Sequence, residues 1–572
     1  MSALPNLPDS PAAWAAADWP TILEPYAQLA AATLDESTAD AWLASWSRLE
    51  ELLTEAASLA MIAYTTDTRD PAREATHLRF STDIMPKATE ASVALARRLL
   101  DSGIVRPGLE TVLKRFRASA DIFRAENVAH QSALEGVAAD YQRITGSMTA
   151  SWEGEELPLP RLQPFLKSAD RSVRERAFRS MAAPYVAQRE PLAALFDQVL
   201  LHSRSIAVNS GFPNYLEYIF PAKYRFDYTP DDCRRLHDAI EQHAVPAVER
   251  AMKARAARLE VESLRPWDVQ VDPWKPGAGR AFADGDELAT RAGRAFEAVD
   301  PVFGEYFGVM QREALLDLDS RAGKAPGGYC DTLHHQGRPF IFMNSAGVRE
   351  DVTTLLHEAG HAFHAFESHQ QPLIWQRHPT SEAAELASMS MELLAAPYLT
   401  SPAGFYDEDT ARSAELEHLE DILLGLVHIA SVDAFQAWLH TADAAHDASE
   451  RDRAWLRFRE RFEPAVDWSG LTGERVSRWY RQLHIFLYPF YYIEYAIAQL
   501  GALQIWRNAR RDQAAAVRAY RAALALGATR PLPDLYRAAG ARLTFDAHGV
   551  GELVALVEER MEDLRTGLVA AG

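Results

Sequence analysis

The sequence predicts a mostly α fold, and three observations carry that prediction. Alanine- and leucine-rich segments with helical apolar spacing recur along the chain, among them EASVALARRLLDSG (90–103) and AAAVRAYRAALALG (514–527). Strand-like runs are few and gather near residues 329–343. No low-complexity linker or internal repeat divides the 572 residues clearly.

Taken in chain order, residues 1–212 read as a helical N-terminal domain that ends in the turn-like NSGFPN (209–214), and 213–572 as a second domain. WDVQVDPWKPGAGRAFADGD (267–286) is the longest interruption rich in proline and glycine. In DSRAGKAPGGYCDTLHHQGRPFIFMN (319–344), Gly323, Gly327 and Gly328 surround a flexible turn, and Phe340 to Met343 form a short apolar run. GKAPGG lacks the G-K-[ST] ending of a phosphate loop. TLLHEAGHAFHAFE (354–367) lies on a helix whose stripe is Val352, Leu355, Leu356, Ala359, Ala362, Phe363 and Phe366. Glu350 and Asp351 stand at its N-terminal turn, where negative charge suits the helix dipole. SEAAELASMSMELLAAPYL (381–399) reads as a second helix, started by Thr380 or Ser381 and ended near Pro397. In HIFLYPFYYIEYAIAQLGALQIW (484–506), Tyr488, Tyr492 and Tyr495 fall on one face of a helix opened by Pro489.

The chemistry concentrates in the 354–367 helix. Burying His357, Glu358 and His361 beside an apolar stripe is costly unless something pairs with them. The two histidines are four residues apart, so their rings project from one face about 6 Å apart along the axis and can converge on one zinc ion. Glu358 follows the first histidine and is placed to take a proton from water, the H-E-x-x-H arrangement of zinc peptidases. A catalytic zinc needs a third protein ligand. His364 shares the face but lies about 10.5 Å along the axis from His357, so it reads as a supporting or substrate-side histidine. On the second helix Glu382 is explained by the dipole, while Glu385 and Glu392 share a face and both remain candidates.

HEAGHAFH followed by ELASMSME resembles the oligoendopeptidase F branch of the thimet-oligopeptidase-like zinc metallopeptidases. That resemblance makes Glu385, 28 residues beyond His357, the third zinc ligand. It makes Glu392, seven further on, a carboxylate that orients a ligand histidine. The positions used by thermolysin-like enzymes and by zinc aminopeptidases fall on Ser381 and Thr380, and the metzincin pattern fails at His364 and Glu367. The resemblance further implies two helical domains flanking a deep substrate channel, a small sheet near the zinc, a mobile glycine-rich loop, and an edge strand at FIFMN (340–344) beside bound peptide. It implies a metalloendopeptidase that holds one zinc through His357, His361 and Glu385, uses Glu358 as base and cuts short unstructured peptides. It also implies that Tyr492 or Tyr488 donates to the oxyanion, with Tyr495 and His484 in the same signature. The alternatives are a dipeptidyl carboxypeptidase, which a basic pocket for a peptide C-terminus would mark, and a non-catalytic peptide-binding scaffold.

A net charge of −21 argues against a nucleic-acid partner. Cys233 and Cys330 provide neither a disulfide framework nor a cysteine metal site. MSALPNLPDSPAAWAAADWP does not read as a signal peptide, and no run reaches the roughly 18 unbroken apolar residues of a membrane helix. The expectation is a cytoplasmic enzyme with no membrane partner.

Overall fold

The computed structural model describes residues 4–274 and 280–571, so positions 275–279 of the proline- and glycine-rich segment lie outside the described residues. The chain is predominantly helical, as expected, and it forms two compact units that interleave along the sequence. The first comprises Met1–Asp121, Arg280–Tyr406 and Gly501–Leu543; the second comprises Ile122–Gly279, Asp407–Leu500 and Thr544–Gly572. Pro213 falls inside the second unit, in the turn between helices Arg189–Asn209 and Tyr215–Ala222.

In the first unit, one core gathers on the helix Ala39–Thr66, where Trp42, Trp46, Leu49, Leu52 and Leu53 are buried. The Trp46 ring packs 4.3 Å from that of Trp375. The same unit holds a three-stranded sheet: β3 (Leu316–Asp319), β4 (Tyr329–Leu333) and β5 (Arg338–Ser345), after the two-stranded pair β1 (Thr149–Trp152) and β2 (Glu155–Pro158) of the second unit. The sheet order is β3-β5-β4, with β5 parallel to β3 and antiparallel to β4. This corrects the expectation that FIFMN is an edge strand. Phe340, Ile341, Phe342 and Met343 are all buried, and a continuous apolar run covered on both faces is the pattern of a central strand. The outer strands are β3 and β4.

The glycine-rich loop before β4 is tied down, where a mobile element was expected. The buried Lys324 ammonium donates to the Asp317 carboxylate (3.0 Å) and to the carbonyls of Asp317, Asp319 and Met343. Asn344 holds the carbonyls of Ala325 and Gly327 at 2.7 and 2.9 Å. Thr68 donates to the Gly323 carbonyl from both its backbone and its hydroxyl.

Two helices of this unit carry the candidate ligands: α1 (Arg349–Ser368) and α2 (Ser381–Ala395). The Asp351 carboxylate accepts the backbone N–H groups of Ala346, Gly347 and Val348 at 2.8–2.9 Å and so fixes the start of α1. Thr380 stands at the N-cap of α2, and that helix gives way to a short turn containing Pro397.

The second unit packs α3 (Glu408–Thr441) against the helices Pro230–Arg258 and Ala547–Ala571. By length and composition α3 alone among the described helices could cross a membrane, with a mean hydropathy of 1.6 over its best window. That window is 72% buried within the protein, the condition of a core helix. Helix α4 (Tyr492–Ala509) begins later than the sequence predicts. Tyr488 terminates the short helix Leu483–Leu487, and Phe490 adopts the left-handed region at φ 63°. The Tyr488–Tyr495 face is therefore broken: Tyr488 lies in a turn and is 55% exposed, while Tyr492 and Tyr495 remain helical.

Candidate metal centre and its surroundings

Helices α1 and α2 meet at a glycine. A Cβ built on Gly360 would stand 2.5 Å from the Ser388 Cα and 2.8 Å from the Ala387 carbonyl oxygen, closer than side-chain carbons approach backbone. Only a residue without a side chain permits this crossing, and the crossing brings three potential ligands together. Donor atoms of His357, His361 and Glu385 all lie within 4.8 Å of one another. Glu385 Oε2 is 3.4 Å from His357 Nε2 and 3.8 Å from His361 Nε2. Atoms bound tetrahedrally to one zinc at roughly 2.0–2.1 Å stand about 3.3 Å apart, so the set fits such an ion with small adjustments. The imidazoles are 24% and 22% exposed and the carboxylate 6%, which leaves one side of the cluster open.

The surroundings orient this donor set. Glu392 Oε1 lies 2.6 Å from His357 Nδ1; that hydrogen bond places the ring proton on Nδ1 and leaves Nε2 free to bind a metal. Ser388 donates to Glu385 Oε2 at 3.2 Å. Tyr520 donates to the Ala387 carbonyl at 2.7 Å, anchoring α2 beside the crossing. Among the described residues no other group of three or more such side chains is arranged to hold a metal. His364 is buried on α1 and stands outside the cluster.

The electrostatics call for a cation. Burial opposes charge on His357, yet Glu385 and Glu392 together outweigh it and hold the imidazole well above its ordinary value. Burial pushes His361 down to about 4 and His364 down to about 3, so both are neutral, and His361 is ready to act as a ligand. Burial pushes the Glu358 carboxyl up to about 7, against the pull of His357 and of a hydrogen bond from the Cys330 backbone N–H. A dication beside it would draw that value back down. Glu358 lies beside the cluster and is not one of its three ligands.

The tyrosine group belongs to the second unit and is described by itself. The His484 ring lies 4.9 Å from Tyr492, 6.2 Å from Tyr495 and 6.0 Å from Tyr488. The Tyr492 hydroxyl donates to Gln482 Oε1 at 2.8 Å, and burial pushes its ionisation up to about 12, so it stays a donor. Three residues escaped the sequence reading: Gly360, whose signal is a glycine inside a strong helical pattern, and Cys330 and Gln482, which carry none. Tyr329, His334 and His335 all have internal partners: Thr65, His378 and Arg48 respectively.

The model described as peptidase family M3 matches residues 165–553, and that described as the peptidase M3 N-terminal domain matches residues 17–121. The plasmid-encoded oligoendopeptidase F of Lactococcus lactis subsp. cremoris is 25% identical over 339 residues, which is 58% of this chain and 53% of that protein. The chain thus matches about half the length of the Lactococcus relatives. An oligoendopeptidase F homolog of Borreliella burgdorferi is 22% identical over 413 residues, 70% of this chain and 67% of that one. The structure of Pz peptidase A with inhibitor 2 superposes with a TM-score of 0.87 at 27% identity, covering 98% of both chains.

Proposed function

This chain belongs to peptidase family M3, and on that footing we propose that it hydrolyses internal bonds of short, unstructured peptides with one zinc ion. The observation that carries the reading is the convergence of His357, His361 and Glu385 beside a carboxylate, Glu358, that is not a ligand. Zinc held there would supply a Lewis acid that lowers the pKa of water and polarises a peptide carbonyl.

The remaining chemistry falls to the protein's own groups. Glu358 takes the proton of the attacking water and passes it to the leaving nitrogen, with the Cys330 N–H keeping its carboxylate aimed. Glu392 fixes the His357 tautomer. The family resemblance supports Tyr492 or Tyr488 as the donor to the oxyanion; His484 and Tyr495 pack around Tyr492. The place of β4 as an outer strand supports backbone pairing with an extended peptide, which favours broad side-chain tolerance.

The test is Glu358→Gln. The variant should bind zinc in the same ratio as the parent and lose peptide turnover by at least ~10²-fold. Near-normal turnover in pure, metal-loaded variant would remove Glu358 from the reaction and the reading with it.

A further inference from the structure

The second unit contains a cavity of about 450 Å³ that the proposed reaction does not use. Its size lies within the ~300–1,000 Å³ of small-ligand sites. Its apolar lining includes Phe178, Met181, Met252, Trp267, Leu424 and Trp468. The same lining holds three guanidinium groups, Arg459, Arg478 and Arg481, and a single carboxylate, Glu463. In a protein of net charge −21 this is a local excess of positive charge.

The charges are not equally engaged. Arg478 reaches both Glu463 oxygens at 2.9 Å, and Arg459 also pairs with Glu463. His428, against Arg459 at 3.1 Å, is held neutral by burial and by its cationic neighbours. Arg481 lies over the Tyr185 ring at 5.5 Å, and among the described residues it makes no ion pair. The Trp267 and Trp468 indole N–H groups are buried and have no acceptor, although both side chains line the cavity. Buried donors without acceptors are uncommon and costly. Gly425, in the middle of α3, lines this space: a Cβ there would meet nothing within 4 Å, although glycine inside a helix is disfavoured against alanine.

We propose that this cavity binds the carboxylate end of a peptide whose terminal side chain is apolar, as a released product of internal cleavage and not as the end from which a cut is measured. The carboxylate pairs with Arg481 and Arg478, the side chain lies among the tryptophans and methionines, and the indole N–H groups donate to the ligand's oxygens. Gln482 belongs to the lining and accepts the Tyr492 hydroxyl, so an occupant touches a residue that holds that tyrosine. The origin of the ligand rests on the peptidase reading, whereas the binding test does not.

The test is calorimetric titration of the zinc-loaded Glu358→Gln protein with N-acetyl-L-phenylalanine and with its amide. The acid should bind at least ~10-fold more tightly, the margin of a charge-assisted hydrogen bond. Arg481→Gln should abolish that preference. Gly425→Leu, which fills open space and improves the helix, should abolish binding without lowering the melting temperature. Equal binding of acid and amide, no binding of either, or acid binding that survives Gly425→Leu would each overturn the proposal. A wild-type protein that fails to cut peptides would sink the peptidase reading and leave this measurement standing.

Discussion

Gly360→Ala adds one methyl group, yet the structure turns it into a test of the metal centre. The new Cβ would lie 2.5 Å from the Ser388 Cα, about 1 Å short of the ~3.5 Å at which carbon atoms meet favourably. The clash is with backbone, so no side-chain rotation relieves it, and α2 must move away from α1. Overpacking of this kind costs roughly 1–3 kcal/mol. Replacing a helical glycine returns about 0.5–1 kcal/mol. Stability alone is therefore a blunt readout. Geometry is sharper, because Glu385 lies one turn before Ser388 and moves with it, while His357 and His361 stay on α1. A displacement near 1 Å exceeds the ~0.2 Å tolerance of metal–ligand distances. Zinc affinity, measured by competition with a chromophoric chelator, should fall at least ~10-fold, and kcat/KM on a quenched fluorescent peptide by ~10²-fold. Gly425→Ala is the control: its Cβ meets nothing within 4 Å, so it should keep zinc and gain a few tenths of a kcal/mol or more. A Gly360→Ala protein with parental zinc affinity and turnover would refute the claim that this crossing sets the ligand geometry.

Other variants separate the roles. Glu385→Ala should lose zinc and Glu382→Ala should keep it, by metal analysis after gel filtration; full occupancy in the first would remove it from the ligand set. Glu392→Ala should weaken zinc affinity or activity by roughly 10–100-fold, since it leaves the His357 tautomer unfixed, and an unchanged protein would make that hydrogen bond incidental. Tyr492→Phe should lower kcat by ~10²-fold or so with KM little altered; a change confined to KM would assign the hydroxyl to substrate positioning. C-terminal amidation of a peptide should leave internal cleavage in place, as read by mass spectrometry. Release of dipeptides alone, and only from free C-termini, would install a dipeptidyl carboxypeptidase instead.

The ligand helices were legible because their signals are local. Apolar spacing at three and four, an acidic first turn and an N-cap threonine placed α1 and α2 where the structure has them. Spacing by itself left Glu385 and Glu392 as rivals. In the fold they divide the work on the same histidine, one facing Nε2 and the other Nδ1. What failed depends on distant partners or on single backbone angles. Sheet order is set by which segments arrive beside Phe340–Met343, and Leu316–Asp319 does so from earlier in the chain, unannounced by its composition. The tyrosine face was misjudged at Phe490, whose positive φ ends one helix before the next begins, information that a residue count does not hold. The chain passes between its units five times, near residues 121, 279, 406, 500 and 543; the crossing near 279 falls in the proline- and glycine-rich segment 267–286, whereas the one near 500 lies inside α4, where composition marks nothing.

The corrected sheet order also changes what a bound peptide would meet. A central strand has no free backbone groups to offer, so pairing at FIFMN is excluded by its neighbours on both sides. β4 is an outer strand of the sheet, and it carries Cys330, whose N–H holds the Glu358 carboxylate. On the proposed reading, the strand that receives the peptide is therefore the strand that aims the base. A peptide aligned along β4 is placed by its own backbone relative to Glu358, whatever its side chains are. Such coupling gives a physical reason for broad side-chain tolerance with a defined cutting position, because register along the strand is set by main-chain hydrogen bonds at a repeat of ~3.3 Å per residue. A folded protein offers no free strand of this kind, since its backbone groups are already paired.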